Sequence, residues 1–88
     1  MNRKVLVNEI IDFCLEYKVF KSYVKLRDVK AQIDKELRNA EFVESLINTI
    51  IVKTKKRKRN NNKKIRILLI ELEKIRLEME YEEEIENV

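Results

Sequence analysis

Neither glycine nor proline occurs in the 88 residues of this chain, and that absence limits its folds before any pattern is read. Glycine reaches positive φ without steric cost and proline presets tight turns, so here every reversal falls to Asn, Asp, Ser or Lys. Phosphate loops built on glycine are excluded for the same reason. The length sets one domain, residues 1–88, near the size where a core becomes marginal and a second copy adds useful buried area.

Charge is sorted along the chain. Residues 53–66, KTKKRKRNNNKKIR, hold nine Lys or Arg and no acid, whereas residues 67–88 hold eight acids and two bases. Residues 1–52 are nearly balanced, with nine bases and eight acids. Side chains packed with like charge at this density repel one another, and a polyanion relieves the repulsion. Lys53, Lys55, Lys56, Arg57, Lys58, Arg59, Lys63, Lys64 and Arg66 are therefore the candidate contacts to a nucleic-acid backbone, where they would release counterions and position the protein.

Catalytic chemistry finds little to work with. There is no histidine, and the single cysteine, Cys14, has neither a disulfide partner nor a usual base or metal co-ligand. Set among Phe13, Leu15 and Tyr17, Cys14 reads as a small core residue. No enzyme activity, cofactor or metal site is expected. Asn8, Glu9 and Asp12 interrupt the first apolar patch too early for a signal peptide, and no run has transmembrane length. The expected location is intracellular and cytoplasmic.

Periodicity predicts a first helix over 4–20, with Val7, Ile10, Ile11 and Cys14 on one stripe and Leu6, Phe13 and Phe20 widening it. The aromatic trio Phe13, Tyr17 and Phe20 is expected in the core. A short extended segment is expected over 23–26, then a helix over about 27–37 carrying Val29, Ile33 and Leu37, with Asp28 in its first turn. Asn39 is the expected N-cap of a third helix, with Phe42, Val43, Leu46 and Ile47 inward and Asn48 or Thr49 closing it. Beyond it, the β-branched Ile50, Ile51, Val52 and Thr54 and Ile65, Ile67 and Ile70 flank Asn60, Asn61 and Asn62. That pattern predicts a basic β-hairpin with strands over 50–57 and 63–70. A final helix is expected over about 71–84, and residues 71–88 form a dimerisation helix with an acidic tail.

The competing reading is an all-α helical bundle with a basic loop and a C-terminal coiled-coil helix. In it Ile65, Leu68, Leu72, Ile75 and Met79 form a heptad seam, and Phe42, Leu46 and Ile50 continue the third helix.

With Val29 and Ala31, Val43 and Leu46, Ile50 and Ile51, and Leu72 at the matching places, the preferred order resembles a small winged helix-turn-helix DNA-binding protein of viral or plasmid type. The resemblance implies a mainly α fold with a small β-hairpin. It implies a homodimeric transcriptional regulator with the third helix in the major groove of duplex DNA and the wing on the backbone. The base-reading candidates on the third helix are then Arg38, Asn39, Glu41, Glu44, Ser45 and Asn48, with Arg57 or Arg59 in the minor groove. Leu72, Ile75 and Met79 would join two copies, setting half-sites about one DNA turn apart. The other functional readings are an adaptor or inhibitor that binds a host protein, and an RNA binder that uses the basic segment.

Overall fold

In a computed structural model, which describes residues 1–19, 26–55 and 63–86, the chain forms four helices: α1 (Arg3–Glu16), α2 (Leu26–Glu36), α3 (Ala40–Lys55) and α4 (Lys63–Glu86). Among the described residues there is no strand. The winged helix is thereby overturned. Residues 50–55 complete α3 and residues 63–70 begin α4, so neither strand of the expected hairpin forms where the chain is described. Asn60, Asn61 and Asn62, like Lys56, Arg57, Lys58 and Arg59, lie outside the described residues, as do residues 23–25 of the expected extended segment, whose last residue, Leu26, instead begins α2.

Packing explains why helix wins over β-branched propensity. Val43, Leu46, Ile47, Ile50 and Thr54 recur at helical spacing and are all buried, Val43 and Ile50 completely. A continuous stripe outweighs the few tenths of a kcal/mol per residue by which β-branched side chains disfavour helix. The threonine hydroxyls are also satisfied inside the helix. Thr49 donates to the Ser45 carbonyl at 2.9 Å, and Thr54 donates to the carbonyls of Ile50 at 2.8 Å and Ile51 at 3.1 Å. Asn48 and Thr49 therefore do not close α3, which runs six residues past Thr49 to Lys55.

Helix α1 is buried on more than one side through Leu6, Val7, Ile10, Ile11, Phe13 and Cys14, and it packs on both α2 and α4. Asn2 caps it, its Oδ1 accepting from the Val5 N–H at 2.8 Å. Phe13 and Tyr17, both buried, stack with ring centroids 4.4 Å apart. Phe20 lies outside the described residues. Ile33 of α2 and Leu37 just after it are buried, as are Ile65, Leu68 and Leu72 of α4, with Ile75 and Met79 packed against the same cluster. The 3-4-3-4 seam of α4 thus serves the chain's own core.

The missing glycine leaves a mark at the end of α1. Lys18 adopts φ 55°, the left-handed region usually given to glycine after a helix. Around it the Val19 N–H donates to the Cys14 carbonyl at 2.8 Å and the Lys18 N–H to that of Leu15 at 3.3 Å. This pair of bonds satisfies carbonyls that the helix end would otherwise leave open.

Two predictions follow from the α1 geometry. Lys18→Gly removes the steric cost of the left-handed residue and is expected to raise stability by about 1 kcal/mol in urea unfolding, with Lys18→Val lowering it. Burial pushes the Cys14 thiol up from 9.0 to about 11. The folded state therefore holds the thiol proton more tightly than the unfolded state, so this contribution is complete below pH 9 and is lost as pH rises through about 11. Relative to a Cys14→Ala variant, the intact protein should lose stability across that interval, as read from urea midpoints.

Candidate nucleic-acid interface

The basic residues that are described gather where α3 ends and α4 begins. The two helices pack against each other, so Lys53 and Lys55 in the last turn of α3 lie at the same end of the molecule as Lys63, Lys64 and Arg66 in the opening turns of α4. Lys55, Lys63, Lys64 and Arg66 are exposed and Lys53 is half-buried. Cations suit the end of α3, where the helix dipole is negative. At the start of α4 they do not. That first turn holds no acid, and its free N–H groups add positive potential to that of the side chains. Lys56, Arg57, Lys58 and Arg59 connect these two helix ends in sequence and lie outside the described residues.

The surroundings give this pole a direction. On one flank Glu9, Asp12 and Glu16 of α1 border a small cleft of about 90 Å³ with Lys64, Ile65 and Leu68. These carboxylates lower the potential on the flank of the basic pole beside Lys64. Along the outer face of α3 the charge changes sign, from Glu41 and Glu44 through Ser45, Asn48 and Thr49 to Lys53. At the far end of α4 stand Glu78, Glu80 and Glu82, all exposed.

Three of the expected base-reading residues are placed away from the basic pole. Asn39 stands at the opposite end of α3, about 24 Å of helix from Lys55. Its Oδ1 is engaged as the N-cap, accepting from the N–H groups of Glu41 at 3.0 Å and Phe42 at 3.4 Å. Arg38 lines a cleft with Arg3, Ile75, Glu78, Met79 and Glu82, beside the acidic half of α4. Ser45 is exposed midway along α3, next to Glu41 and Glu44. Arg57 and Arg59 lie outside the described residues. Leu72 is completely buried within the chain, and Ile75 and Met79 pack, partly buried, against the same core.

Two features of α4 escaped the sequence reading. Arg76 bridges Glu73 at 2.9 Å and Glu80 at 3.4 Å, and Lys74 pairs with Glu71 at 3.5 Å, so opposite charges do alternate along this helix at i,i+3 and i,i+4 spacing. Glu73 bonding raises the Arg76 pKa further. The second feature is an outward apolar stripe, Ile67, Ile70, Leu77 and Tyr81, on the helix face turned away from the core.

Among the described residues no three His, Cys, Asp or Glu side chains stand together as a metal site, and no helix is long and apolar enough to cross a membrane. Comparison with protein-family models, curated proteins and solved structures finds no match to this chain.

The cap geometry separates stability from binding at Asn39. Asn39→Ala should cost about 1 kcal/mol in urea unfolding. Its affinity for a duplex, measured well below the unfolding midpoint, should stay within twofold of the parent chain.

Proposed function

We propose that this chain binds the phosphate backbone of duplex DNA through its basic pole, with little dependence on base sequence, and that it does so as a homodimer. The observation that carries the reading is the meeting of two helix ends, one bearing Lys53 and Lys55 and the other Lys63, Lys64 and Arg66, at the two sides of a segment that contains no acid. Affinity then comes from displacing condensed counterions, a free energy that grows with the number of phosphates neutralised.

The low sequence dependence rests on the positions of the polar groups. Arg38 and Asn39 lie at the opposite end of α3 from the cations, and Glu41 and Glu44 would approach phosphates if the outer face of α3 entered a groove. Backbone contacts from the basic pole need neither, and they carry no base information.

Fluorescence anisotropy of a labelled duplex across a salt series tests this. About six phosphate contacts give a log–log slope near −5. A Lys55→Ala/Lys63→Ala variant should lower that slope in magnitude by about 2, and Arg38→Ala should leave it unchanged. Absence of binding at low salt, or binding that ignores salt, would overturn the reading. Tighter binding to duplex RNA of the same sequence would reassign the polyanion.

A further inference from the structure

Helix α4 has two apolar faces and the chain covers one of them. The inner seam runs Ile65, Leu68, Leu72, Ile75 and Met79. Displaced from it by two residues, or about 200° around the helix, runs a second series at the same 3-4-3-4 spacing: Ile67, Ile70, Lys74, Leu77 and Tyr81. Its apolar members are 40%, 54%, 55% and 65% exposed in that order. Four large apolar side chains aligned on the solvent face of one helix form the seam that a second helix covers in a coiled coil.

We propose that this outer seam is covered by α4 of a second copy, running antiparallel. Charge selects both the partner and the direction. The helix opens with Lys63, Lys64 and Arg66, and from Glu78 onward its charged residues are all acids. A parallel pair lays acidic half along acidic half, whereas an antiparallel pair lays the basic start of each helix against the acidic end of the other.

Heptad geometry gives a register in which Ile67 faces Leu77 of the second copy and Ile70 faces its Lys74. The two-fold axis passes at the level of Leu72. Arg66 then lies beside Glu80 of the second copy. Glu80 already accepts from Arg76 of its own chain at 3.4 Å, and a carboxylate has room for a second guanidinium. Near the axis Glu71 and Glu73 of the two copies approach each other. Their charges are offset within each chain by Lys74 at 3.5 Å and Arg76 at 2.9 Å. Lys74 itself lays its aliphatic stem along the seam with its ammonium at the edge, and one polar residue at such a position favours a single register.

A seam of this size buries roughly 1,000 Å² in total, at the small end of specific interfaces, so the dimer should dissociate on dilution. The proposal shares with the DNA reading only its two-copy state, and it is tested without nucleic acid so that the two fail separately.

Sedimentation velocity of the full chain over a wide concentration range should show a monomer–dimer equilibrium. Leu77→Lys, at an exposed position, should weaken association by about tenfold or more while leaving far-UV circular dichroism unchanged. Direction is read by mild oxidation of Ile67→Cys and Leu77→Cys variants. Mixed together they should form a disulfide between unlike copies in preference to either like pair. A chain that stays monomeric throughout, a Leu77→Lys variant that still dimerises, or like pairs predominating on oxidation would overturn the proposal.

Discussion

Burial of the inner seam of α4 against α1 and α3 is the interaction on which the other features depend. Leu72 is completely enclosed, and Ile65 and Leu68 extend the contact toward the start of the helix. Because that start is held in the core, residues 63–70 are committed to helix, and the opening turns carry Lys63, Lys64 and Arg66 at a fixed place. The same burial turns Ile67, Ile70, Leu77 and Tyr81 outward, since a 3.6-residue period cannot bring both series to one side. One packing contact thus sets the location of the basic pole and the existence of the outer seam.

The lack of glycine shapes the turns and has two different solutions. After α1 the chain accepts a left-handed lysine, Lys18, and recovers part of the cost through two backbone bonds to carbonyls of the last turn. Between α2 and α3 the described backbone keeps negative φ throughout, and Asn39 both receives the end of one helix and caps the next. Its N–H donates to the Glu36 carbonyl at 2.8 Å, and its side chain accepts from Glu41 and Phe42. A residue used so fully by the backbone has little left to offer a base edge. The cost of making turns without glycine therefore removes one of the groups that the sequence had put forward for recognition.

How far the fold was legible follows from which signals were strong. The stripe of α1, the Asn39 cap and the inward set Phe42, Val43, Leu46 and Ile47 are long or chemically specific, and each stands where it was expected. Residues 50–70 carried two conflicting signals. β-branching and an asparagine cluster pointed to a hairpin, whereas the spacing of Ile50 with Phe42 and Leu46, and of Ile65 with Leu68 and Leu72, pointed to helix. Periodicity reports burial, which is worth kilocalories per residue, and β-propensity reports a fraction of that, so periodicity should have decided the matter. The cations were plain in the sequence. Their separation from Arg38 and Asn39 was not, because it depends on α3 running unbroken to Lys55.

Charge sorting along α4 gains a further meaning when both poles are considered together. In one chain the basic start and the acidic end of α4 are about 36 Å apart, too far to neutralise each other through water at physiological salt. Neither pole is therefore compensated by the other within the chain. The antiparallel second copy proposed above would set the acidic end of each α4 beside the basic start of the other, whereas Lys53 and Lys55 belong to α3, outside that pairing. In that register Lys63 of the two copies would stand about 27 Å apart along the helix axis. That separation is shorter than the roughly 34 Å turn of B-form DNA, so in such a dimer the two poles would meet a duplex as separate patches and not in the register of successive turns.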